Sequence, residues 1–279
     1  MHDILVRIPL PFGGASLPIH SYGVMAMIGF LVALAVARWR AKQVGLSADH
    51  VTDLALFALL GGIVGSRAFY VVQNWSYFAD RTRPDWSVLD AIKIWQGGLV
   101  FYGGLILAAI LVVWIARKRG MRLTAVLDVL APSMALGHAF GRIGCFLRGC
   151  CFGAPVKAGA WYGVVFPDDS LPYDPYAEHT CAAGTPIFPV QLLSSLNLLV
   201  IFGVLMFFFK RRRGEGQVIG LYVILYSIHR FLVEFLRGDT HVPGALSPAQ
   251  WISVPGFFLG LWLFVWARGR KVAVGAPKK

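Results

Sequence analysis

Residues Val190–Phe209 read VQLLSSLNLLVIFGVLMFFF and run directly into Lys210-Arg211-Arg212-Arg213. An uncharged run of this length matches the ~20 residues a helix needs to cross a hydrocarbon core of about 30 Å. The basic run behind it marks where the span meets a membrane surface. Six further apolar stretches flank it: about Ser21 to Ala37, Val51 to Val72, Gly98 to Ala116, Thr124 to Phe146, Ile219 to Leu236 and Trp251 to Ala267. The composition agrees. Of 279 residues, 57% are hydrophobic and 14% charged, and mean hydropathy is +0.65. Average soluble chains are about 45–50% apolar and about 25% charged, so a disordered chain, a coiled coil and an ordinary water-soluble enzyme are excluded. The expected fold is an all-α integral membrane protein with seven transmembrane helices, a single membrane domain over residues 1–279.

The net charge of +12 would suit a nucleic-acid partner only if the basic residues shared a water-exposed face. They do not. Sixteen of the 26 Lys and Arg fall in four clusters: Arg38–Lys42, Arg117–Arg122, Lys210–Arg213 and Arg268–Lys279. These occupy alternate loops and the C-terminus, as seven spans require. The remaining loops carry Arg7, Arg81, Arg83, Lys93, Arg148 and Lys157 among Asp80, Asp85, Asp90, Asp168, Asp169, Asp174 and Glu178. The positive-inside rule then predicts the N-terminus outside and the C-terminus in the cytoplasm of a multi-pass membrane protein. Nucleic acid is rejected as a partner. Residues 1–20 lack a basic start and an A-x-A-like site, so no cleavable signal peptide is expected.

Four arginines remain, Arg67, Arg142, Arg230 and Arg237, inside or at the rims of predicted helices. Charge is costly there, which makes each a functional-site candidate. All come late in spans that run inside to outside, so three helices raise cations toward one membrane face. That placement suits an anionic lipid headgroup.

The longest non-helical segment, about Leu147 to Pro189, is predicted to form a small outer cap over residues 147–189, with a short strand in Trp161–Phe166. A second outer loop, Gln73 to Gln96, is expected to hold a surface helix around Val88 to Trp95. Glycine clusters at Gly61-Gly62-x-x-Gly65 and Gly97-Gly98…Gly103-Gly104 read as close helix contacts. The second brackets Phe101-Tyr102, which also suggests exposed backbone near a ligand.

Two motifs carry the candidate chemistry. Gly141-Arg142-Ile143-Gly144-Cys145-Phe146-Leu147-Arg148-Gly149-Cys150-Cys151-Phe152-Gly153 joins an arginine fork, suited to phosphate, to a glycine-punctuated turn. His138 lies one turn before Arg142 on the same helix face. In Tyr226–Arg237, Tyr226, Arg230, Glu234 and Arg237 recur at spacings of four, four and three, one polar stripe in which Glu234 can orient both arginines. His20-Ser21-Tyr22-Gly23 opens the first span.

Taken together, His20-x-Tyr22-Gly23, Gly65-x-Arg67, Gly97-Gly98-Leu99…Gly103-Gly104-Leu105, Gly141-Arg142-Ile143-Gly144, Pro189-x-Gln191-Leu192 and Arg230-Phe231-x-Val233-Glu234-Phe235-x-Arg237 resemble, over nearly the whole chain, bacterial prolipoprotein diacylglyceryl transferases. The resemblance implies a seven-helix body with a periplasmic cap. It implies transfer of the diacylglyceryl group of phosphatidylglycerol to the thiol of a lipobox cysteine in a prolipoprotein signal peptide, with release of glycerol-1-phosphate. It places Arg142 and Arg230 on the phosphate, Tyr22 on the headgroup or the phosphate, Arg237 and Glu234 as support or gate, and Gly98, Gly104, Gly153 and Tyr226 in substrate binding. No cofactor and no metal are called for. The substrate thiol, with a free pKa of about 8.5, must lose a proton. Many members carry His where this chain has Tyr102. The base is therefore Tyr102, His138, or none if the arginine field lowers the thiol's own pKa. Many members also have Asn at Cys145, an acid at Cys150 and Tyr-Glu at Leu193-Ser194.

Two other readings compete: a member with lost or altered activity, and a non-enzymatic seven-helix receptor or transporter. The last span holds no lysine for a retinal-type chromophore, and no repeat suggests a transporter. Cys145, Cys150, Cys151 and Cys181 all fall at the expected outer face, which in a periplasm is oxidising. A disulfide from Cys150 or Cys151 to Cys181 is predicted. A C-x4-C-C run without histidine partners gives no reason to expect zinc.

Overall fold

A computed structural model describes residues 4–9, 16–80, 82, 87–94, 97–167, 170–173, 181–239 and 246–270. The expectations for Arg81, Arg83, Asp85, Trp95, Gln96, Asp168, Asp169, Asp174, Glu178, Lys271, Lys278 and Lys279 lie outside the described residues. The elements in order are strands β1 (Ile4–Pro9) and β2 (Ser16–His20), then helices α1 (Ser21–Gln43), α2 (Ala48–Gln73), α3 (Trp75–Ala79), α4 (Phe101–Lys118), α5 (Leu123–Arg148), α6 (Val190–Phe209), α7 (Gln217–Glu234) and α8 (Pro248–Ala267). All of these helices except α3 are long and apolar enough to cross a membrane, seven in number among the described residues. Each coincides with a predicted span to within a few residues. The largest difference is α1, which continues six residues beyond Ala37. The antiparallel β1–β2 hairpin, Ile4 paired with His20 and Pro9 with Ser16, was not anticipated.

Contacts divide the chain into two compact units, Met1–Ala37 with Leu127–Val274, and Arg38–Val126 with Gly275–Lys279. In the second unit α2 and α4 pack along their glycines. A side chain on Gly65 or Gly103 would strike the other's carbonyl oxygen, and a Cβ on Gly104 would stand 2.6 Å from the Gly62 oxygen. Small residues let the two backbones touch, and dispersion then replaces the hydrophobic drive that lipid removes. The loop before α4 contains a 3₁₀ turn, Val88–Ile92, in place of the predicted surface helix. Ser87 and Asp90 close it with reciprocal 3.2 Å bonds, Ser87 Oγ accepting from Leu89 N and Asp90 Oδ2 from Ser87 N.

In the first unit α5 is the most buried span. Gly29 on α1 leaves room for Phe140 and for the Gly137 carbonyl of α5, both within 3.0 Å of where its Cβ would sit. Ser195 Oγ of α6 donates to the Ala139 oxygen of α5 (3.0 Å). Helices α7 and α8 cross at Gly220 and Gly260. The buried Asp128 carboxylate of α5 accepts hydrogen bonds from the backbone amides of Gly216 (2.8 Å), Val218 and Ile219 (both 3.0 Å). It thus supplies the N-terminal cap that α7 lacks, where orphan amides and the positive end of the helix dipole favour an anion.

Between α5 and α6 the described residues build a small core from Phe152, Phe166, Tyr173 and Ile187. The alternation in Trp161–Phe166 yields only an isolated two-way bridge, Val164 to Ile187 at 2.9 Å, rather than a strand. All four cysteines are free thiols, which corrects the predicted disulfide. The reason is packing. Cys181 lies against the Phe152–Ile187 cluster, whereas the sulfurs of Cys150 and Cys151 gather with that of Cys145.

Candidate active site

The end of α5 presents His138, Arg142 and Cys145 at spacings of four and three, on one face. Gly144, on the adjoining turn, holds α1 close. A Cβ there would lie 3.1 Å from the ring of Tyr22 and 3.2 Å from Met25 Cβ. Tyr22 consequently sits within electrostatic reach of Arg142.

From α7 the polar stripe comes to the same place. The ring of Tyr226 lies 5.5 Å from that of His138 and 6.1 Å from that of His229, and it stacks on Tyr222 at 5.7 Å. His138 and His229 each feel the charges of both Arg142 and Arg230. Guanidinium groups from two different helices therefore converge on one pair of imidazoles.

The charges are held by an acid ladder. Arg230 donates to the buried Glu234 carboxylate, and Arg237 Nε lies 4.0 Å from the same oxygen. Arg237 also grips Asp239 with two bonds, Nε to Oδ1 at 2.9 Å and Nη2 to Oδ2 at 2.7 Å. Burial alone would lower the Arg237 pKa. The hydrogen bonds and charge of Asp239, helped by Cys151 and Glu234, override it and keep Arg237 above its ordinary value. Among the described residues Arg142 has no such acid. Its Nε is buried and, among the described residues, takes no hydrogen-bond acceptor; His229 Nδ1 is likewise buried and unpartnered. Unsatisfied buried polar atoms are rare because each costs about 1–3 kcal/mol. Two of them, Arg142 Nε and His229 Nδ1, fall at this one locus.

Gly153 is fixed by contact rather than by conformation. Its amide donates to Phe188 O (3.2 Å), it bridges to Arg237, and a side chain would collide with the Phe188 carbonyl. The turn before it carries Cys150 and Cys151. The Cys151 thiol is held far below its ordinary range, first by hydrogen bonds from Cys145 and Cys150 and then by Arg237 and Arg142. Cys150, on the donating side, is pushed up.

The remaining predicted site residues belong to the second unit. Tyr102 is half-exposed in the first turn of α4, edge-on to Phe101 at 5.7 Å. Gly104 serves the α2–α4 contact. Gly98 adopts φ +69°, and a Cβ on it would stand 2.7 Å from Arg67 Nη1. Arg67, a candidate by its charge alone, is held by four backbone carbonyls. It donates to the carbonyls of Asp90 (2.6 Å), Ala91 (2.9 Å), Gly97 (2.7 Å) and Gly98 (3.2 Å) and stacks over Tyr70 and Phe78. It clamps its own loop. Sequence reasoning assigned no role to His229, Asp239, Asp128 or the three-thiol cluster. His229 beside Arg230 and Asp239 two residues past Arg237 were visible as charge-bearing neighbours. The thiol cluster was visible only as the C-x4-C-C run of Cys145, Cys150 and Cys151.

Fold and site together define a multi-pass membrane protein that gathers arginines, histidines and one buried acid at a single locus. The chain belongs to the family described as prolipoprotein diacylglyceryl transferase, whose sequence model matches residues 9–266. It is 33% identical to the phosphatidylglycerol–prolipoprotein diacylglyceryl transferase of Clostridium tetani, over 94% of this chain and 99% of the relative. It is also 33% identical to that of Burkholderia multivorans, over 93% and 94%. With the second such enzyme of Clostridium perfringens it shares 31%, over 89% and 91%.

Proposed function

We propose that this chain transfers the diacylglyceryl group of phosphatidylglycerol to the thiol of a lipobox cysteine in prolipoprotein signal peptides, the first step of lipoprotein maturation. The cysteine sulfur bonds to the glyceryl carbon that bears the phosphate ester. The carbon–oxygen bond breaks, and its electron pair leaves with the phosphate of glycerol-1-phosphate. The thiol proton passes to a base.

The observation that carries this reading is the buried, unpartnered Nε of Arg142 beside His138, His229 and Arg230. A phosphate diester there satisfies Arg142 and receives the second charge from Arg230. Negative charge grows on the phosphate as the carbon–oxygen bond breaks, and fixed cations in a dry site stabilise that change more than they stabilise the resting lipid. Glu234 and Asp239 hold Arg230 and Arg237 in place so that little reorganisation is needed. Tyr22 contacts the headgroup, and His138 takes the thiol proton. The arrangement of the basic clusters supports an N-terminus and a 147–189 cap outside and a C-terminus in the cytoplasm, and family membership supports the bacterial inner membrane as the location.

Purified protein incubated with phosphatidylglycerol and a lipobox peptide is expected to release glycerol-1-phosphate and yield a thioether-linked peptide. Arg142→Ala and Arg230→Ala are each expected to lose about 10²–10³-fold, the cost of removing a fixed donor from a developing anion. Full activity in both variants overturns the site. No product from the intact protein favours a member with altered chemistry.

A further inference from the structure

The turn that ends α5 gathers three sulfurs. Cys145 lies in the last turns of the helix. Gly149 at φ +81° reverses the chain, and Cys150 N returns to the Cys145 carbonyl at 3.1 Å. Cys151 follows at φ +57°, the one non-glycine residue with positive φ among the described residues. That conformation costs an L-residue about 1–2 kcal/mol, and such strain persists where the surroundings over-determine it. Gln191 Nε2 of α6 fixes the turn through the Cys150 carbonyl at 3.0 Å. The three sulfur atoms lie within 4.8 Å of one another and are half-buried.

We propose that Cys145, Cys150 and Cys151 form a binding site for one soft, thiophilic metal ion, Cu(I) in preference to Zn(II). Sulfurs about 2.3 Å from a shared ion stand roughly 3.8–4.0 Å apart, so closing the site needs shifts below ~1 Å. An all-thiolate set selects Cu(I) and zinc over harder ions. Three protein sulfurs complete a three-coordinate Cu(I) site, whereas structural zinc takes a fourth ligand. Three thiolates with Cu(I) leave a net charge of −2, and Arg142 and Arg237, both within electrostatic reach of Cys151, face that charge. The filled site therefore competes with lipid phosphate for Arg142. This last consequence, unlike the site itself, rests on the transferase reading.

The test uses the full-length protein in detergent, reduced and oxygen-free, titrated separately with Cu(I) and Zn(II) against a chelator of known affinity. One Cu(I) per chain is expected, with sulfur-to-metal charge-transfer absorption. Cys145, Cys150 and Cys151 should resist alkylation, read by mass spectrometry, while Cys181 labels fully. Cys145→Ser and Cys151→Ser, checked for helicity by circular dichroism, are each expected to weaken binding more than about 100-fold, beyond what losing an outer hydrogen-bond partner of a metal ligand costs. Cys181→Ser should bind as the parent does. Binding below one equivalent, or binding unchanged in the serine variants, overturns the site. Stoichiometric Zn(II) binding without Cu(I) overturns the choice of ion. If metal binds but transferase activity does not fall, the competition for Arg142 is wrong and the site stands. If no transferase activity exists at all, the binding and alkylation readouts still decide the metal site.

Discussion

A Cβ on Gly238 would stand 2.5 Å from the carbonyl oxygen of Gly153, so the segment after α5 and the segment after α7 touch backbone to backbone. The contact is sealed on both sides, by Gly238 N to Phe152 O at 3.1 Å and Ala154 N to Leu236 O at 3.0 Å. It locks Arg237 beside the cysteine turn. Gly238→Ala must push these strands apart, an overpacking that costs about 1–3 kcal/mol. A lower thermal midpoint, together with reduced transfer, is the expected result. An unchanged midpoint removes the contact's structural role.

Arg67 is expected to act on stability rather than on lipid. Arg67→Ala strands four carbonyl acceptors, some of which water will reach, for a loss of order 3 kcal/mol. Limited proteolysis should then cut within residues 87–98 while phosphatidylglycerol affinity is retained. Arg67→Lys keeps the charge but not the planar fork and should recover only part of the protection.

The proton step separates two residues that the sequence left equal. His138 shares its surroundings with both Arg142 and Arg230. His138→Gln is expected to lower transfer by about 10²–10⁴-fold, the range for a lost general base. Tyr102→Phe should cost less than about tenfold. The opposite ranking in initial rates with a lipobox peptide would move the proton to the Tyr102 hydroxyl.

Asp128 anchors the start of α7 by accepting from three amides, with Arg212 Nε 3.7 Å away. Asp128→Ala is expected to cost about 2 kcal/mol, the upper end for a lost N-cap, and Asp128→Asn less, since one oxygen remains. Thermal unfolding in detergent distinguishes them. Equal midpoints for parent and Asp128→Ala would show that water caps the helix as well.

Sequence alone determined the seven helices, because in hydrocarbon every backbone polar group must be paired within its own segment, and uncharged length is enough to identify such a segment. It also determined the arginine stripe of α7, since spacings of four, four and three fix a helical face without any tertiary contact. Tertiary structure decided the rest. Arg67 and Arg142 are both charges inside predicted spans, and the sequence does not show what either one bonds to. Only the fold gives the first four carbonyls and, among the described residues, leaves the second without an acceptor at Nε. The cysteines followed the same logic, for pairing depends on where side chains point across a turn. The turn after α5 gathers Cys150 and Cys151 with Cys145, while Cys181 packs on the Phe152–Ile187 cluster. The β1–β2 hairpin and the Asp128 cap also escaped the sequence, because each depends on partners remote in the chain or on register, which local periodicity does not encode.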